Sequence, residues 1–94
     1  MTREILAQAL AAEGLESTNQ GYAVPENREA TLFVAAPGDI LPVERVVRFD
    51  LKEKVLLLED VKHERYYFSY EDVLGLRLHA PAAARDRVAG FGGR

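Results

Sequence analysis

Few side chains in this sequence are of the kinds that do chemistry, and fewer are spaced to do it together. The best placed is His63, in Asp60-Val61-Lys62-His63-Glu64, where an imidazole and two carboxylates could share a metal ion. Lys62 and Arg65 flank that group with positive charge, and the spacing fixes no convergent geometry. A solvated, charged loop between strands is expected there, and no metal site is assigned. His79 stands alone. Glu71 and Asp72 supply two carboxylates for acid–base work, but neighbours on an extended chain point to opposite faces, so a polar turn is expected. Ser17 and Ser69 sit in no nucleophile motif. Gly90, Gly92 and Gly93 lack the strand-to-helix context of a phosphate-cradling loop. The chain has no Cys, which removes thiol nucleophiles, disulfides and thiolate metal sites. No catalytic set, cofactor or metal is expected, and the protein reads as a non-enzyme.

Binding chemistry is better represented. Arg45, Arg48, Lys52 and Lys54 form a basic concentration, although Glu44, Asp50 and Glu53 are interleaved with it. Tyr66, Tyr67, Phe68 and Tyr70 gather half of the aromatic residues into five positions. In an extended segment Tyr66, Phe68 and Tyr70 share one face, suited to the core, and Tyr67 faces the other way. Tyr67 is thus available to stack on a base or a partner side chain. The formal net charge is -3, which argues against a whole-surface electrostatic grip on nucleic acid.

The elements that would position these groups follow from hydrophobic spacing. Residues 2–13 predict a helix, with Thr2 as N-cap, Glu4 in the first turn and an apolar stripe of Ile5, Leu6, Ala9, Leu10 and Ala12. Gly14 falls where a left-handed terminating residue is wanted, with Leu15 folding back behind it. Residues 16–21 read as a polar turn, and 22–24 as a brief strand stopped by Pro25. Strands are expected over 30–36, 44–50, 55–59, 66–70 and 73–78, divided by Pro37-Gly38-Asp39, the polar tip Lys52-Glu53-Lys54, the segment 61–65 and Glu71-Asp72. Val47 and Phe49 are placed on one face, and Val46 and Arg48 on the other. The run from Val55 to Leu58 is apolar on both faces, which implies burial on both sides or a strongly bent strand. The expected core is Leu6, Leu10, Leu32, Val34, Val47, Phe49, Leu56, Leu58, Phe68, Leu74, Leu76 and Leu78.

The 94 residues suit a single small domain, 48% hydrophobic and 29% charged, without room for a second core. Its bounds are read as 1–79, with 80–94 as a poorly ordered Ala/Gly/Arg tail. No apolar run reaches the roughly 20 residues of a membrane span. Glu4 and Gln8 interrupt the stretch behind Arg3, so no signal peptide is read and a cytoplasmic location is expected. The fold class is α+β: an N-terminal helix followed by a small, strongly bent five-stranded antiparallel sheet or barrel.

A helix followed by five strands resembles the plan of the Sm-like family. The stretch TLFVAAPGDILPVERVVRFDLKEKVLLLED is similar to that family's first block, with its turn glycine at Gly38 and a bent second strand ending in Phe49-Asp50. YYFSYEDVLGLRL is similar to its second block. The resemblance covers residues 31–79. It implies a closing strand that joins neighbouring subunits and a surface that binds RNA. PRC-like and pleckstrin-like small barrels share the same hydrophobic pattern. At the turn where the family brings a basic residue to RNA this chain has Glu71 and Asp72, whose charge opposes phosphate.

The expected function is therefore a non-catalytic interaction and oligomerisation module, whose partner is a second copy of the chain or another protein. The last strand, 73–78, would add to a neighbour's edge strand, with Tyr67, Val73 and Arg77 at the seam. The alternative is RNA binding through Arg48, Lys52, Lys54 and Tyr67, aided by Arg85, Arg87 and Arg94. A small ligand-binding or enzymatic domain is the third reading, recommended by no residue set.

Overall fold

A computed structural model describes residues 1–80. One helix, α1 (Arg3–Ala12), precedes seven strands: β1 (Glu16–Thr18), β2 (Gly21–Ala23), β3 (Glu29–Ala36), β4 (Asp39–Leu51), β5 (Val55–Asp60), β6 (Arg65–Ser69) and β7 (Val73–His79). A 3-10 turn, Tyr70–Asp72, separates the last two strands. The expected tail lies, apart from Ala80, outside the described residues.

The helix ends as its sequence dictates. The Thr2 hydroxyl accepts from the Ile5 N–H at 3.1 Å. Gly14 takes a φ of 78° past the last turn, and Leu15 then folds back, with its N–H on the Leu10 carbonyl at 3.2 Å and its side chain in the core. Leu6 and Leu10 have no exposed surface and hold the short helix, whereas Ile5 of the expected stripe is half-exposed.

The strands form one strongly curled antiparallel sheet. Along the hydrogen-bonded path the order is β7-β3-β4-β5-β6, and the β1–β2 hairpin joins through β2 to β4. β4 has 13 residues and serves both halves. Its first part pairs with β3, Ala36↔Asp39 through Ala30↔Val46, and its second part pairs with β5, Val46↔Asp60 through Leu51↔Leu56. The register shifts between Val46 and Arg48, and Arg45 just before it has a φ of 58°. A bulge of this kind bends the strand and increases its twist.

Leu6, Leu10, Leu32, Val34, Phe49, Leu56 and Leu58 form the centre of the core as expected, with Phe68, Leu76 and Leu78 packed partly buried against them. Two expectations are corrected. Val46, not Val47, is the buried partner of Phe49, because the bulge interrupts the two-residue alternation. Val73 is buried and Leu74 is half-exposed, because the β3–β7 register shifts beside Val34, which leaves Leu74 as the extra residue. Leu56, Leu57 and Leu58 are all buried, in keeping with the apolar run on both faces. The sheet has seven strands rather than five. β2 takes the place of the brief strand expected over 22–24, while β1 occupies the segment read as a polar turn, and Gly21 makes the docking of their hairpin feasible. A Cβ there would lie 2.2 Å from the Phe49 carbonyl oxygen, and the backbone φ is 109°.

Candidate interaction edges and the charged face between them

The sheet branches at β4 and has three outer strands among the described residues: the three-residue β1 at the end of its hairpin, and the longer β6 and β7. β7 pairs with β3, β6 pairs with β5, and among the described residues no strand covers the outer side of either. The start of the β7 edge is closed by the Met1 amino group, which donates to the carbonyls of Tyr70 and Val73 at 3.0 and 2.6 Å. Beyond it, Leu74 and Arg77 are exposed along β7. The Arg77 guanidinium lies 5.6 Å from the centre of the Phe33 ring, a cation–π contact across the β3–β7 ladder. On β6, Tyr67 is exposed at 61%, whereas Tyr66 and Phe68 stack at 6.3 Å and pack on the core. Tyr67 and Arg77 therefore sit at opposite ends of the strand order and do not meet within one chain. Val73, placed at the same seam from its position in the sequence, belongs to the chain's own core and offers no side chain to a partner.

Of the residues proposed for RNA, Arg48 and Tyr67 share a face. Tyr67 is opposite Leu57, and Leu57 opposite Asp50; Arg48 is opposite Glu59, and Glu59 opposite Arg65. Opposed residues project to the same side, so these two rows run over the outer face of β4, β5 and β6. Arg48 there, and Lys52 beside it, are matched by carboxylates. Arg48 holds Glu59 at 2.8 Å and Asp50 at 3.6 Å, and also donates to the Gln20 carbonyl at 2.8 Å. Lys52 lies 3.1 Å from Asp50. Lys54, at the hairpin tip, has no ion pair among the described residues. Hydrogen bonds from His63 and then Arg48 hold the Glu59 carboxyl below its ordinary range. The Arg48–Glu59 pairing was not legible from the tip: counting back from Lys52–Lys54 sets position 48 against position 58, whereas the observed register starts at Leu51 opposite Leu56 and sets Arg48 against Glu59.

The 61–65 connection is organised by Asp60, which is buried at its start. One carboxylate oxygen accepts from the N–H groups of Lys62 and Glu64, each at 2.9 Å, and the other accepts from the Tyr66 hydroxyl at 3.1 Å. Desolvation opposes ionisation of this carboxyl, and the hydrogen bonds from Glu64, Tyr66 and Lys62 outweigh it, so its pKa is lowered. The phenol is 3.0 Å from Glu64 as well, and the two carboxylates, Glu64 before Asp60, push its pKa up to about 12. His63 takes a left-handed φ of 67° in this turn and points its Nδ1 at Glu59, 3.0 Å away. No group of three or more His, Asp or Glu among the described residues is arranged to hold a metal. The cluster fixes a turn.

No family model, curated protein or solved structure matches this chain. Its function is read from its own geometry. No helix among the described residues is long and apolar enough to cross a membrane. Glu71 and Asp72 are exposed on the 3-10 turn, next to the start of β7.

Proposed function

We propose that this protein is a non-catalytic small-barrel module that works by protein–protein association, with the outer edge of β7 adding to an edge strand of a second copy. The observation that carries the reading is that β6 and β7, the two longer of the sheet's three outer strands, are each bonded on one side only among the described residues. An uncovered edge presents a row of N–H and C=O groups ready to extend the ladder. The two edges lie at opposite ends of one sheet, so joining β7 of one copy to β6 of the next is a head-to-tail contact that repeats until it closes. Leu74 and Arg77 would then meet the neighbour's exposed Tyr67 across the seam. The kinship with the Sm-like family belongs to this reading, supported by the helix-first order and by the closing strand that follows a tight turn. RNA binding ranks second, because Asp50 and Glu59 already engage Arg48 and Lys52.

Light scattering on the full chain at physiological salt tests the reading. The expected mass is a multiple of the 10.5 kDa chain, falling toward one chain on Arg77→Glu. A monomeric native protein, or an assembly that Arg77→Glu leaves intact, would refute it.

A further inference from the structure

Where β4 bends, its neighbour on one side changes. Ala30 of β3 stands opposite Val46, Ala23 of β2 stands opposite Arg48, and the connection 24–28 spans the gap. The Val24 N–H donates to the Val47 carbonyl at 2.9 Å, and the Arg28 N–H to the Pro25 carbonyl at 3.1 Å, which closes the connection into a turn. Against it lies a cleft of about 420 Å³ lined by Val24, Pro25, Val46, Val47 and Val61. That is within the size range of small-molecule sites, and the aliphatic walls are those of a site that holds an apolar group.

Four charged side chains rim the cleft: Glu26, Arg28, Glu29 and Arg45. Two of them are engaged. Arg28 is held by the Glu13 carboxylate and by the Glu13 carbonyl at 2.8 Å, and Glu29 by His79 at 3.2 Å. Glu26 and Arg45 have no side-chain partner among the described residues. Arg45 also stands at the register shift between β3 and β4, held at a φ of 58° with its carbonyl accepting from the Val61 N–H at 3.1 Å. Non-glycine residues seldom take that conformation, and those that do concentrate at binding sites. The rim thus offers one cation and one anion, both uncommitted, beside an aliphatic floor.

We propose that this cleft binds a small apolar α-amino acid as its zwitterion, with the side chain against the valines, the carboxylate on Arg45 and the ammonium on Glu26. A simple carboxylic acid would bring a like charge to Glu26, and a simple amine would bring one to Arg45. A head group of both signs satisfies both, and that difference sets the selectivity. The inference does not depend on the association of β7 edges.

The test is a titration of the isotope-labelled full chain followed by amide chemical shifts, with L-leucine as probe and with 4-methylpentanoate and isoamylamine as its des-amino and des-carboxyl analogues. Leucine is expected to give saturable shifts at Val24, Val46, Val47 and Val61, and each analogue to bind about tenfold more weakly or worse. Arg45→Gly suits the left-handed backbone while removing the guanidinium, and is expected to erase the preference for leucine over isoamylamine. Glu26→Gln, at an exposed turn position that tolerates change, is expected to erase the preference over 4-methylpentanoate. An absence of saturable shifts at millimolar leucine, shifts at a different site, or an analogue that binds as tightly as leucine would overturn the proposal.

Discussion

Replacing Val73 and Leu74 by alanine, one at a time, separates packing from association at the start of the last strand. Val73 is 1% exposed in the core and Leu74 is 50% exposed on the outer side. Truncating Val73 removes carbon equivalent to about two methylenes, or about 1.6 kcal/mol of transfer free energy. The residual cavity raises the total to about 2–3 kcal/mol. For a domain of this size that corresponds to a fall in Tm of roughly 10–20 °C. Truncating Leu74 leaves the chain's own core intact, and its cost within one molecule is expected to stay under about 1 kcal/mol. Urea unfolding followed by circular dichroism reads both numbers. The Val73→Ala midpoint should move at every protein concentration with an unchanged m-value. The Leu74→Ala midpoint should move only where the wild-type protein is assembled, because binding of the native state to itself adds concentration-dependent stability. A Leu74→Ala cost that equals or exceeds that of Val73→Ala at all concentrations would refute the register assigned to β7.

Other perturbations test the remaining contacts. Gly21→Ala drives a Cβ into the Phe49 carbonyl region at a positive φ and is expected to cost about 2 kcal/mol or more, with exchange protection lost first in the β1–β2 hairpin. The Tyr66 phenol, raised from 10.0 to about 12 in the folded chain, favours the native state below pH 10 and loses that contribution as pH rises through about 12. Burial raises the Tyr70 phenol as well, so tyrosinate absorbance should show late titration that Tyr66→Phe reduces by one tyrosine equivalent. Glu59 and Asp60 have lowered folded-state pKa values, so their contribution is present above the ordinary carboxylate range and fades as pH falls through their folded values. Glu59→Gln combined with Asp60→Asn should flatten the acid limb of a Tm-against-pH profile.

Regular elements were legible, and interruptions of regularity were not. The helix follows from Thr2, its leucine stripe and Gly14, all local signals. The β4–β5 hairpin follows from alternation about the tip Lys52–Lys54. The misplacements of Val47 and Leu74 share one cause: each lies at a register shift, and a two-residue pattern carried through a bulge inverts every face beyond it. The strand at 22–24 was legible, but its partner β1 was not, because Glu16–Thr18 is exposed and polar, and the hairpin's place depends on Gly21 passing close to Phe49, a tertiary fact. The basic cluster was found as a composition and not as a charge, since the neutralising carboxylates of Asp50 and Glu59 arrive by folding.

The double duty of β4 bears on how the chain folds. Because one continuous strand is bonded to β2, β3 and β5, no pair of neighbouring hairpins can assemble without it. Its ladder partners reach as far as Tyr22 on one side and Asp60 on the other. Nicking the backbone at the hairpin tip after Lys52 would leave two pieces, each lacking half of the sheet, and only their reunion would restore it. The backbone contacts that unite β4 with β5 would then serve as a complementation device, with recovery of structure dependent on the product of the two fragment concentrations.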